Sequence, residues 1–234
     1  MSELTRPLVV ALDFDDLNAA MGLVDKLDPS TCRVKVGKQL FTRVGPVAVE
    51  QLVARKFDVF LDLKFHDIPN TVARAVAAAA DLGVWMLNVH AGGGSAMMRA
   101  AREALGNAAD RPLLTAVTVL TSMGDEDLAE VGCQGTALDR VLSLAQLASK
   151  SGLDGVVCSA REASALRRVV SKDFALVTPG IRLAGDETGD QKRVVEPNEA
   201  VQCGADYLVM GRSITGADDP QKVIRTILLS LQPI

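Results

Sequence analysis

The chain has few of the groups that build metal sites or disulfide frameworks. Its 234 residues include two histidines, His66 and His90, and four cysteines, Cys32, Cys133, Cys158 and Cys203. No Cys-x-x-Cys pair occurs and no spacing suits a metal-ligand set, which argues against a zinc centre. The cysteines read as reduced, small apolar residues of a cytosolic protein. Net positive charge is also lacking. A formal charge of −4 gives no overall basic footprint for nucleic acid, although a local anion site stays open. The apolar runs fall far short of a membrane span. The opening Met1-Ser2-Glu3-Leu4-Thr5-Arg6-Pro7 lacks a signal-peptide pattern, so a cytoplasmic location is expected.

What the chain does have is alternation. Hydrophobic residues make up 48% of it, enough for a sizeable core, and the length suits one domain or two small ones. Strand-like runs recur over residues 8–14, 32–37, 59–65, 86–91, 113–120, 155–159, 175–181 and 207–214. Helix-like stretches fall between them, over 18–27, 46–55, 71–82, 95–105, 137–149, 162–170 and 197–203, and 220–231 follows the last strand. Such alternation predicts a parallel sheet with helices outside. An open, doubly wound sheet would usually carry a glycine-rich turn after its first strand. Here that strand runs into Asp13-Phe14-Asp15-Asp16. The expected fold is therefore α/β: a single-domain (β/α)8 TIM barrel over residues 1–234, with its active site at the C-terminal strand ends.

One passage stands out: Asp62-Leu63-Lys64-Phe65-His66-Asp67-Ile68-Pro69-Asn70-Thr71. Asp62 and Lys64 are two apart, so in a strand they share a face. Opposite charges on the inner face of an apolar strand are costly to desolvate. Asp67 adds a carboxylate past the strand end, and Lys35, in Val34-Lys35-Val36-Gly37, extends the set to Lys35–Asp62–Lys64–Asp67. Such a network can hold an ammonium charged in a partly dry site and serve electrostatic and acid–base chemistry. The plainer alternative is a structural salt-bridge cluster.

An anion site is expected where barrels often bind phosphate, after the seventh and eighth strands. Thr178-Pro179-Gly180-Ile181-Arg182 and Met210-Gly211-Arg212-Ser213 offer backbone access through glycine and arginine forks. The polar stretch 183–193 between them reads as a lid or an ordinary solvent loop, with Gln191 able to offer an amide. His90 reads as a satisfied strand-end histidine, Trp85 as packing, and Ala91-Gly92-Gly93-Gly94-Ser95 as a turn.

The chain resembles orotidine 5′-phosphate decarboxylase along nearly its whole length. The passages that carry the resemblance are Ala11-Leu12-Asp13, Val34-Lys35-Val36-Gly37, the run from Asp62 to Thr71, Val117-Thr118-Val119-Leu120-Thr121-Ser122, Thr178-Pro179-Gly180-Ile181-Arg182, Gly189-Asp190-Gln191 and Gly211-Arg212. The resemblance implies a homodimeric barrel that converts orotidine 5′-monophosphate to uridine 5′-monophosphate and CO2 with no metal or organic cofactor. It implies that Lys64 protonates C6 and that Asp62 sits against the departing carboxylate. Asp67 and Thr71 would reach into a partner's site. Asp13 and Lys35 would hold the ribose hydroxyls, with Thr121 and Ser122 near the ribose and pyrimidine edge. Gln191, Gly211 and Arg212 would bind phosphate, with Pro179 and Arg182 in the same region. Two other readings stand beside this one. A magnesium-dependent sugar-phosphate decarboxylase shares the Asp-x-Lys-x-x-Asp pattern but carries an acidic residue where this chain has Lys35. A non-catalytic phosphate-binding barrel is the other.

Overall fold

In the computed structural model, which describes residues 6–183 and 195–231, eight short strands pair in parallel and in chain order. They are β1 (Leu8–Ala11), β2 (Arg33–Gly37), β3 (Val59–Phe65), β4 (Met86–His90), β5 (Leu113–Val117), β6 (Gly155–Val157), β7 (Ala175–Thr178) and β8 (Tyr207–Met210). The last pairs back onto the first, Val9 opposite Val209, and closes the barrel. The helices are α1 (Leu17–Val24), α2 (Lys38–Val44), α3 (Val47–Ala54), α4 (Pro69–Ala80), α5 (Gly94–Ala104), α6 (Asp125–Glu130), α7 (Ala137–Lys150), α8 (Ala160–Leu166), α9 (Pro197–Gln202), α10 (Arg212–Thr215) and α11 (Pro220–Ser230). Among the described residues no helix is long and apolar enough to cross a membrane.

Strand alternation splits the apolar residues into two layers. Val9, Phe60, Met86, Val117, Val157, Val177 and Val209 fill the barrel interior. Their neighbours in sequence, including Leu8, Val10, Leu61, Leu87 and Leu208, point outward and meet the helices. A strand buried on both faces reads as a continuous apolar run, which is why these segments were visible in the sequence. Helix entry is set locally. The Asp16 carboxylate accepts from Ala19 N–H at 3.0 Å to cap α1, and Thr136 with Asp139 forms a capping box on α7.

The N-terminal end of the barrel is plugged. The Arg33 guanidinium lies 4.2 Å from the Trp85 ring centroid and 5.3 Å from that of Tyr207, and the two rings meet edge to face. Arg33 Nε also pairs with Asp58 at 3.2 Å. Trp85 is a packing residue, as expected, and ligand access is left to the opposite end.

The predicted strands hold, but several run too long at their C-terminal ends. The eighth was expected to reach residue 214 and stops at Met210, with Arg212–Thr215 helical. Polar βα loops that continue an apolar run cannot be told from strand by pattern alone. The short helices α2, α6 and α10 were not anticipated, because four to seven residues carry too little periodicity.

Candidate active site

The C-terminal strand ends surround a cavity of about 490 Å³, within the range of small-ligand sites. Its polar wall is built around Asp62, a buried carboxylate within β3. Lys64 Nζ lies 2.5 Å from Asp62 Oδ1, and Lys35 Nζ lies 3.4 Å from Oδ2. Lys35 Nζ is also 3.2 Å from Asp13 Oδ1. The result is a chain of alternating charge from Asp13 on the rim, through Lys35 and Asp62, to Lys64 over the cavity. Gly37 makes room for it: a Cβ there would sit 2.9 Å from Lys35 Nζ and 3.2 Å from Asp13 Oδ1.

Burial by itself would raise the Asp62 carboxyl. Lys35 and Lys64, with hydrogen bonds from Lys64 and Asn88, outweigh it and hold the group below the ordinary carboxylate range. Asp62 is therefore ionised at neutral pH. His90 is pushed down to about 4 by burial, and by His66, Lys38 and Lys64, so its imidazole is neutral. Its ring lies 5.5 Å from that of His66, and neither histidine lines the cavity.

Among the described residues, two buried side-chain polar atoms on the far rim lack partners. Arg182 is 8% exposed, and its Nη1 donates to Ile181 O at 3.1 Å while its Nε meets no acceptor. Ser213 Oγ, in the first turn of α10, is likewise unpartnered. A buried donor without an acceptor is costly unless something else supplies one. Arg182, Gly211 and Arg212 all line the cavity, so a positive, donor-rich corner faces the Asp–Lys chain across it.

Most of the residues singled out in the sequence come together here. Asp13, Lys35, Asp62, Lys64, Thr121, Ser122, Pro179, Arg182, Gly211 and Arg212 line the one cavity. Asp67 and Thr71 do not. Both are exposed on the rim beside Ile68, which is 67% exposed, and the Asp67 carboxylate accepts from Ile68 N–H at 2.6 Å. Gln191 and most of the suggested lid lie outside the described residues. Among the described residues no three or more His, Cys, Asp or Glu side chains gather so as to hold a metal ion.

Asn88 was passed over. It is fully buried in β4, its Nδ2 donates to Asp62 Oδ1 at 2.6 Å, and its Oδ1 accepts from Lys64 N–H at 2.7 Å. Its signal was present: an amide among Met86, Leu87 and Val89, at the same inward parity as Met86, has to find partners.

The orotidine 5′-phosphate decarboxylase / HUMPS family profile matches residues 6–227. Over 227 residues the chain is 59% identical to orotidine 5′-phosphate decarboxylase of Shewanella sediminis, covering 97% of each protein. The enzyme of that name from Chromobacterium violaceum is 59% identical over 226 residues, 97% of this chain and 92% of that one. In three dimensions the chain is similar to orotidine 5′-phosphate decarboxylase of Lactobacillus acidophilus, with a TM-score of 0.87 and 40% identity, covering 97% of this chain and all of the other. A cavity with an Asp–Lys–Asp–Lys wall facing an arginine corner, on a closed eight-stranded barrel, thus belongs to a chain that is a member of the orotidine 5′-phosphate decarboxylase / HUMPS family.

Proposed function

We propose that this carboxy-lyase converts orotidine 5′-monophosphate to uridine 5′-monophosphate and CO2 in pyrimidine biosynthesis, using no metal or organic cofactor, with Lys64 as the proton donor. The observation that carries the reading is the Lys64 ammonium resting on the buried, ionised Asp62 at the cavity wall. In the reaction the bond from C6 to the carboxylate breaks, CO2 leaves, and the electron pair stays on C6. No neighbouring carbonyl delocalises that pair, so the protein must stabilise it electrostatically. Lys64 supplies the positive charge and then a proton from Nζ to C6. The amine regains a proton from water after product leaves. Asp62 holds the Lys64 head in place while repelling the substrate carboxylate beside it.

The other contacts follow from where chemistry is wanted. Asp13 and Lys35 bind the ribose hydroxyls, and Thr121 and Ser122 meet the ribose and pyrimidine edge. Arg182, Gly211 and Arg212, with Pro179 and Gln191, take the phosphate, whose remote binding energy orders the site. Asp67 and Thr71 complete a partner's site in a homodimer, a role that suits their exposure on the rim with Ile68. The natural setting is a single barrel domain over residues 1–234 in the cytoplasm, where the four thiols stay reduced.

The magnesium-dependent sugar-phosphate reading fits less well. Lys35 Nζ stands 3.4 Å from Asp62, where a divalent cation would need an acidic neighbour instead. The relatives at 59% identity also carry the decarboxylase name. The deciding experiment follows the absorbance of orotidine 5′-monophosphate with excess chelator. Undiminished turnover is expected. Activity abolished by chelator and restored by magnesium would favour the sugar-phosphate reading, and no turnover under any condition would favour a non-catalytic barrel.

A further inference from the structure

The β3–β4 pairing is irregular at the site. Leu61 opposes Leu87 and Phe65 opposes Val89, so β3 spends four residue steps where β4 spends two. Asn88 alone therefore faces the bulged segment that carries Asp62 and Lys64. The bulge places Lys64 at φ +54°, a left-handed conformation uncommon for a residue with a side chain. Asp62 and Lys64 are thus not simply two steps along a regular strand, and the bulge re-aims the lysine over the cavity.

A bulge leaves backbone groups without ladder partners, and here the Asn88 side chain replaces the ladder. Its Oδ1 accepts from the displaced Lys64 N–H at 2.7 Å. Its Nδ2 donates to Asp62 Oδ1 at 2.6 Å, the same oxygen that holds the Lys64 ammonium. The amide orientation is fixed chemically, since a backbone N–H only donates and an ionised carboxylate only accepts. Asn88 is fully buried, so no solvent can take over either bond, and it does not line the cavity. One carboxamide thus sets both the backbone origin of the Lys64 side chain and the carboxylate on which its head rests.

We infer that Asn88 is a positioning residue for proton transfer, holding the Lys64–Asp62 pair in register with the reacting carbon through these two hydrogen bonds. The inference rests on the reading of Lys64 as the acid. The charged groups facing Asp62 are Lys35 from β2 and Lys64 from β3, and His90 of β4 is neutral nearby.

Two replacements test it. Asn88→Leu keeps comparable bulk and loses both bonds. Asn88→Asp keeps an acceptor for Lys64 N–H but sets a second carboxylate against Asp62. Two such groups can share a proton, which raises the pair above Asp62 beside Asn88, although Lys35 and Lys64 oppose the rise. Singly protonated, Asp at position 88 donates to Asp62 and mimics the native amide; doubly ionised, it cannot. For folded Asn88→Leu, kcat should fall by ~10² or more, as for the loss of a preorganised group. Binding of uridine 5′-monophosphate should change by less than about threefold, because Asn88 touches no ligand-facing surface. For Asn88→Asp, kcat should stay below wild type and fall further as pH rises and the pair loses its shared proton.

Asn88→Leu turnover within about threefold of wild type would overturn the inference. So would parallel losses of kcat and product affinity, which mark general support of the pocket. If Asn88→Leu does not fold, the Asn88→Asp profile decides alone, and turnover at the wild-type level at every pH overturns the inference. Lys64→Ala is run beside them. Retained turnover there refutes the role of Lys64 itself, whereas its loss with Asn88→Leu intact refutes only the positioning role.

Discussion

Replacing Lys64 with alanine separates the chemical role of the lysine from its structural one. Structurally, the change removes one of two cations from Asp62, whose side chain is 12% exposed while that of Lys64 is 24% exposed. Breaking a buried ion pair typically costs ~3–5 kcal/mol, but Lys35 and Asn88 remain on the carboxylate, so about 1–3 kcal/mol is expected here. For a chain of this size that is a fall in Tm of roughly 2–12 °C, which leaves a folded enzyme at room temperature. Chemically, on the proposed mechanism, the change removes both the cation facing the carbanion and the proton donor. A preorganised electrostatic group is worth ~10²–10³ in rate and a general acid ~10²–10⁴. The two roles share one side chain and do not simply multiply, so a fall in kcat of at least ~10⁴, about 5 kcal/mol of barrier, is expected. The assay is the absorbance decay of orotidine 5′-monophosphate, with circular dichroism for the fold and uridine 5′-monophosphate binding for the pocket. A folded, product-binding Lys64→Ala variant with turnover within about tenfold of wild type would refute the assignment.

Arg212→Ala should weaken phosphorylated ligands by roughly 10–100-fold while leaving the phosphate-free nucleoside nearly unchanged, since charged hydrogen bonds are worth ~1.5–3 kcal/mol; equal losses for both would make Arg212 structural. Mixing inactive Lys64→Ala and Asp67→Ala chains should restore up to roughly half of wild-type activity per heterodimer, because two-fold symmetry concentrates both lesions in one site. No recovery after subunit exchange has been verified by mass would confine Asp67 to its own chain. Gly37→Ala should push the Lys35 ammonium, 2.9 Å from the added Cβ, off its bridge between Asp13 and Asp62. The nucleotide KM should then rise roughly tenfold, with 2′-deoxy analogues less affected. An unchanged KM for the ribonucleotide would separate Lys35 from ribose recognition.

Much of the barrel was legible because its signal is local. A strand buried on both faces is a short apolar run, and eight such runs separated by helix-length stretches leave few alternatives to a closed barrel. The charged core of the site was legible for a similar reason. Asp62, Lys64 and Lys35 interrupt apolar strands, where only a mutual or chemical purpose offsets desolvation. The Gly–Arg segment after β8 stood out by composition and place, although Arg212 proved to open a helix rather than extend the strand.

The rest depended on register, which no single segment encodes. The slip between Leu61 and Phe65 that turns Lys64 into the left-handed region arises from the pairing of β3 with β4, and it gives Asn88 two partners 24 and 26 residues away in sequence. The buried Nε of Arg182, unpartnered among the described residues, and the crowding of Lys35 and Asp13 around Gly37 likewise emerge only once the strands are assembled. By itself the sequence determined which residues carry charge into the interior and the order in which strands deliver them, because alternation and apolar patterning act over a few residues. Only the tertiary structure decided which of those charges touch, which stay exposed on the rim like Asp67 and Thr71, and which neutral amide holds the pair together. Those outcomes turn on ångström-scale distances between strands far apart in the chain.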